Sequence, residues 1–125
     1  MIILSKEQII MLHEQLIERY GGIQGVRDEG LLDSAINAPF QSFGGQDFFP
    51  TVAEKAVRLC IDLIQNHPFH DGNKRIGTLA LLMVLELNNI SFHATNEELS
   101  DIIIQYAAGQ VNDDDLQRWV SDHMS

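Results

Sequence analysis

Nine residues near the middle of the chain, His67 to Arg75, read HPFHDGNKR and lie between two apolar runs, EKAVRLCIDLIQN and IGTLALLMVLEL. They place two histidines, a carboxylate, a glycine, an amide and two cations side by side. Pro68 disfavours helix at His67, Gly72 permits a tight, left-handed turn, and a buried helix starts at about Asn73. The first amides of a helix have no intrahelical partners, and the dipole there attracts negative charge. Gly72, Asn73 and Lys74 therefore form a candidate anion cradle. Lys74 and Arg75 add two cations in the same turn, where they oppose the helix dipole. A bound polyanion removes that conflict, and phosphate is the obvious one.

Asp71 stands beside this cradle. A carboxylate next to a phosphate pocket is repulsive unless a cation lies between them, and Mg²⁺ takes carboxylate and phosphate oxygens together. Taken alone, Asp71 also fits a dipole partner for the helix or an ion pair with Arg75. His67 closes the preceding helix, and a histidine near neutral pKa can take a proton from a hydroxyl that attacks phosphorus. Phe69 offers a hydrophobic anchor for the loop. His67 and His70 have HxxH spacing, but no third ligand and no cysteine pair accompany them, so zinc is not expected. His13, His93 and His123 are isolated and read as solvated or satisfied histidines.

The elements that must position these residues are legible from caps and periodicity. Ser5 and Gln8 form a capping box. Ile9, Leu12, Leu16 and Tyr20 follow at helical spacing, and Gly21-Gly22 stops the helix. The glycine-punctuated loop GGIQGVRDEG leads to a short helix, LLDSAINA, ending before Pro39. Residues 39–50, PFQSFGGQDFFP, hold four of the six phenylalanines, with Gly44-Gly45 as a two-residue hairpin turn. This segment is either a loop anchored by its rings or an extended flap whose free strand edges can hold another chain. Thr51 and Glu54 make a second capping box, and Val52, Ala56, Leu59, Cys60 and Leu63 form the buried stripe of a helix to Asn66. Cys60 reads as a small core residue. The helix 73–87 is apolar almost all round and is expected to run through the middle of the domain. Thr95 with Glu98 opens another helix, with Ile102, Ile103 and Tyr106 inward and Gly109 as its stop. Asn112 caps the last, and Asp113, Asp114 and Asp115 fill its first turn, where the dipole favours anions. The expected fold class is all-α, a bundle around helix 73–87.

At 125 residues, 45% apolar, the chain is expected to form one compact domain spanning 1–125. A net charge of −10 argues against direct binding to nucleic acid or anionic lipid. It provides solubility, or suits a basic protein partner at the acidic end from Glu97 onward. No signal peptide or membrane span is evident. The longest apolar run, Ile76 to Leu87, is shorter than the ~20 residues a span needs. The single cysteine cannot form an internal disulfide, so a cytoplasmic location is expected.

The stretch HPFHDGNKR resembles the signature of the Fic/Doc family, H-x-F-x-(D/E)-(A/G)-N-(G/K)-R, matched by His67, Phe69, Asp71, Gly72, Asn73 and Arg75 in order. RYGGIQGVRDEGLLDSAINAPF is similar to the upstream segment of the Doc (death-on-curing) branch. The resemblance implies an all-α Fic fold with a short flap hairpin that aligns a target chain. It implies His67 as general base, Asp71 as the Mg²⁺ ligand and the turn of Gly72, Asn73 and Lys74 as the phosphate site. The Asn73 side chain would assist and Arg75 would neutralise charge. Many adenylylating members have glycine at the position of Lys74 and a second arginine at that of Thr78; both departures resemble the Doc branch. The resemblance to the Doc branch implies ATP placed with its terminal phosphate beside the histidine, and transfer of phosphate. Lys74 would crowd the α-phosphate of an adenylylating enzyme, and Thr78 gives no partner for distal phosphates. Adenylylation of a protein hydroxyl stays as the alternative, and a non-catalytic binding module as one of another class. The inhibitory pattern (S/T)-x-x-x-E-(G/N) is not matched: Gly25 precedes Glu29-Gly30 where Ser or Thr is required. A Doc-type toxin receives its inhibitor from a cognate, Phd-like antitoxin that binds DNA through a separate domain. The implied target is a threonine of translation elongation factor Tu, so that translation is inhibited.

Overall fold

The computed structural model describes all residues, 1–125. Six helices form it: α1 (Lys6–Tyr20), α2 (Glu29–Asn37), α3 (Val52–Asn66), α4 (Asn73–Leu87), α5 (Asn96–Ala107) and α6 (Asp113–Asp122). A 3₁₀ turn at Ala38–Phe40 extends α2, and a hairpin of β1 (Ser42–Phe43) and β2 (Gln46–Asp47) precedes α3. This is the all-α bundle with a short flap that the sequence led us to expect. No helix is long and apolar enough to cross a membrane.

Local chemistry sets most boundaries. Ser5, Thr95 and Asn112 each accept from the amide three residues on and receive the reciprocal side-chain contact. Thr51 forms only half of such a box. Its hydroxyl accepts from Glu54 N but donates to Glu54 Oε1, so the carboxylate never reaches the cap amide. Asp28 caps α2 through Leu31 N, which starts that helix at Glu29, two residues earlier than the apolar pattern suggested. Gly44 and Gly45, with φ of 60° and 80°, make the tight turn that pairs Phe43 with Gln46 and Ser42 with Asp47.

The centre is shared by α3 and α4 rather than held by α4 alone. α3 packs against α2, the 3₁₀ turn, α4 and α6, and buries residues on nearly every side. α4 packs against α1, α3 and α5 and buries Ile76, Ala80, Leu81, Val84 and Leu85, but Leu79, Leu82 and Met83 are only half-buried. Gly77 lets the two helices approach: a Cβ there would lie 3.1 Å from the Cys60 carbonyl oxygen. Cys60 is fully buried, and the loss of water pushes its thiol pKa up to about 12.

The inward face of α1 is rotated by one position from the expected stripe. Ile9, His13 and Ile17 are buried, Leu12 and Leu16 flank them, and Tyr20 is exposed. A histidine can occupy the core row because its ring stacks on Phe69 at 3.8 Å and its Nε2 donates to the Asp71 carbonyl oxygen at 2.7 Å.

Candidate active site

The loop between α3 and α4 carries HPFHDGNKR, and three neighbouring segments hold it. α3 ends at His67, in the left-handed region at φ 51°, ψ 53°. Its last carbonyls are capped by Arg27: Nε donates to His67 O at 2.7 Å and Nη2 to Asn66 O at 3.0 Å. The stretch GGIQGVRDEG lies antiparallel to the loop, with a bridge between Val26 and Phe69. Arg27 N and Asp28 N donate to Pro68 O at 2.7 and 3.1 Å, and His70 N donates to Gly25 O at 3.2 Å. From α1, His13 stacks on the fully buried Phe69 and bonds Asp71.

Asn73 closes the loop from within. Its Oδ1 accepts from Phe69 N and its Nδ2 donates to Phe69 O, both at 3.0 Å, and the residue is 4% exposed. The amide expected to reach toward a phosphate is thus engaged as a strut. Its contribution to an anion site passes through the shape of the turn, because two backbone groups of Phe69 have no other protein partner.

The N-terminus of α4 differs from every other. Side chains cap α1, α2, α3, α5 and α6, whereas α4 follows Gly72, at φ 75°, and has no side-chain cap. The amides of Asn73, Lys74 and Arg75 have no acceptor in the protein. Lys74 and Arg75 form no ion pair, in a chain of net charge −10. Arg75 instead lies over the exposed ring of Tyr20, 5.0 Å from its centroid. Three free amides, two cations without an ion pair and the positive end of a helix converge there, with Asp71 the one carboxylate on the same cleft wall.

Asp71 is spoken for by backbone amides, not by Arg75. Oδ1 accepts from Gly72 N at 2.9 Å and Oδ2 from Ile23 N at 3.3 Å. Gly22 makes room for it: a Cβ there would stand 2.8 Å from Asp71 Oδ2. No group of three or more His, Cys, Asp or Glu side chains converges to hold a metal by protein ligands alone. One carboxylate beside an anion cradle fits Mg²⁺, which draws its remaining ligands from phosphate oxygens and water.

All of these groups open on one cleft of roughly 670 Å³, lined by Gly21, Gly22, Ile64, His67, Asp71, Gly72, Asn73, Lys74, Arg75 and Ala107. The six residues singled out from the sequence as site residues are therefore brought together, and His67 is exposed at the wall. His70 does not line it. A second, more apolar groove of roughly 450 Å³ runs between α1, α4 and α5 past Leu16, Tyr20, Leu79, Leu82, Leu99, Ile103 and Ile104, and shares Lys74 and Arg75 with the cleft. Thr78 lies in this groove and donates to Lys74 O at 2.7 Å. Sequence reasoning missed Arg27, His13 and Gly22 as supports of the loop. The glycine punctuation around Arg27 was the one available signal.

Known proteins resemble the chain over the region that holds this loop. The model of the Fic/DOC family matches residues 3–85. Toxin Doc of Mycolicibacterium smegmatis is 39% identical over 75 residues, 60% of this chain and 58% of that protein, so the match spans less than two thirds of that relative. Protein kinase doc of Escherichia phage P1 is 28% identical over 109 residues, 87% of this chain and 85% of that protein. The match takes in the whole loop from His67 to Arg75, the GGIQGVRDEG segment that braces it and most of α4, and on that extent the chain belongs to the Fic/DOC family.

Proposed function

We propose that the chain is a Doc-type toxin that transfers the γ-phosphate of ATP to a hydroxyl of a target protein. The observation that carries this reading is the N-terminus of α4, uncapped among five capped helices and bearing two unpaired cations. The amides of Asn73, Lys74 and Arg75 hold the phosphate tail, and the Lys74 and Arg75 side chains neutralise charge that builds up in transfer. Asp71 would hold Mg²⁺, which when bound would supply further neutralisation of the phosphate oxygens. His67 accepts the proton of the incoming hydroxyl as its oxygen bonds to the γ-phosphorus. The bond from that phosphorus to the β-bridging oxygen breaks, and ADP leaves with the electron pair.

The names of both relatives support the Doc branch, and the second supports phosphate transfer. So do Lys74, whose bulk opposes an α-phosphate at the cradle, and Thr78, whose hydroxyl is turned onto its own helix. Adenylylation through the same His67 and Asp71 is the second reading, since the family match over residues 3–85 does not separate the two transfers. The apolar groove beside Lys74 and Arg75 suits a folded segment of a cognate Phd-like antitoxin with acidic groups at one end. The target in this reading is a threonine of elongation factor Tu, with loss of translation as the outcome.

Purified chain, Mg²⁺ and a bacterial lysate with ATP labelled at either the α- or the γ-phosphate test the proposal. Label retained on one protein from the γ-position, its mass raised by one phosphate, is the expected result. Label retained only from the α-position overturns phosphate transfer. A lysate left unlabelled by the wild-type chain, and cell growth unaffected by His67→Ala, would favour a binding module.

A further inference from the structure

We propose that Lys55 is the positioning residue that sets the flap hairpin for the target chain. The inference rests on the transferase reading above and concerns how the acceptor, rather than ATP, is held. Lys55 lies on α3 among Ala53, Ala56, Val57 and Leu59, and its side chain is 9% exposed. An ammonium carries three protons and no acceptor. Here they face Pro39 O at 3.2 Å, Asp47 Oδ2 at 3.4 Å and Phe49 O. The Phe40 ring stands 5.5 Å from Nζ. Every partner belongs to the segment from Pro39 to Phe49, and none to the core.

The hairpin has little else to hold it. Its ladder is two residue pairs, extended by Phe48 N donating to Gln41 O at 3.0 Å. Phe40, Phe43 and Phe48 are 46%, 80% and 56% exposed. A hairpin this short is at best marginal by itself. Phe49 alone turns partly inward, where the Arg58 guanidinium lies 4.7 Å from its ring. A methionine or leucine at position 55 would fill the same space without burying a charge, which is costly unless fully bonded. What the lysine provides instead is a fixed orientation: one ammonium ties together the chain entering the hairpin, the strand β2 and the chain leaving it. The result is an arm with exposed rings and free strand edges, already ordered before a partner pairs with it, so that less ordering is required on binding.

The test compares wild type with Lys55→Met, using purified elongation factor Tu or, if the wild-type chain labels another lysate protein, that protein. Retention of whichever phosphate label the wild type transfers is the readout, so the comparison does not depend on phosphate or AMP. The expected result is a KM for the acceptor raised about tenfold or more, with kcat and KM for ATP within about twofold. Amide exchange over 41–48 should quicken by a similar factor while α3 and α4 are unchanged. Asp47→Ala removes one exposed acceptor, leaves the core intact and should move KM the same way by a smaller factor. Ser42 and Asp47 face each other in the ladder. A disulfide from Ser42→Cys and Asp47→Cys in the Lys55→Met background should therefore restore KM by holding the hairpin another way. An unchanged acceptor KM in both variants overturns the proposal and leaves the transferase reading standing. So does a parallel loss of kcat and ATP binding that the disulfide does not rescue. A wild-type chain that labels nothing overturns both.

Discussion

Replacing Asn73 by alanine separates a structural role for this residue from a ligand role. The amide makes two 3.0 Å bonds to the backbone of Phe69, and neither Phe69 group has another protein partner. Each lost bond removes about 1 kcal/mol net, and a buried group left bare costs about 1–3 kcal/mol. Asn73 also lines the cleft, so water can reach part of the gap, which places the total at about 2–4 kcal/mol. For a chain of this length that corresponds to a fall in Tm on the order of 8–16 °C. Urea and thermal unfolding of Asn73→Ala against wild type, followed by circular dichroism, measure it. ATP binding should weaken as well, because the amides of Asn73, Lys74 and Arg75 depend on the turn that Asn73 braces. An Asn73→Ala protein as stable as wild type but tenfold weaker for ATP would refute the reasoning and make the side chain a direct phosphate ligand.

Three further outcomes follow from the same geometry. His67→Ala should abolish transfer yet change unfolding by no more than about 1 kcal/mol, since the ring is exposed and the left-handed backbone is mildly unfavourable for either residue; urea unfolding with the labelling assay checks both. Gly22→Ala sets a Cβ 2.8 Å from Asp71 Oδ2 at φ 125°, so it should cost about 1–3 kcal/mol and raise the Mg²⁺ concentration needed for half-maximal activity. The Cys60 thiol is held protonated to about pH 12 in the folded chain but ionises near 9 when unfolded. Its stabilising contribution is complete below pH 9 and is lost as pH rises toward 12, because only the unfolded form releases the proton there. Thiol reagents at pH 8 should therefore react no faster than the chain unfolds, and Cys60→Ala should lose less stability between pH 9 and 12 than wild type.

Much of this molecule was written in short stretches of sequence, and the structure reproduces most of them, the full Thr51–Glu54 box excepted. The caps at Ser5, Thr95 and Asn112, the Gly44-Gly45 turn and the break at Pro68 each depend on residues within four positions of one another. So does the candidate site: His67, Asp71, Gly72, Lys74 and Arg75 share a cleft because they share a loop. That the first turn of α4 carries two cations was equally readable, since it is a property of Lys74 and Arg75 alone.

Tertiary structure alone decided which partners the polar groups far apart in the sequence meet. His13 meets Asp71 across 58 positions, Arg27 meets His67 across 40 and Lys55 meets Pro39 across 16. A polar residue at an inward position looks like an error of periodicity until its partner is known, which is why periodicity sets the stripe of α1 one residue off and gives no sign of Lys55. The direction of the Asn73 amide was hidden for a related reason: one side chain can serve a phosphate or its own loop, and only the packed position of Phe69 selects the second. Helices, turns and the reactive loop are set by near neighbours along the chain, whereas the burial of charge and the choice of hydrogen-bond partner are set by whatever the fold brings within hydrogen-bonding reach.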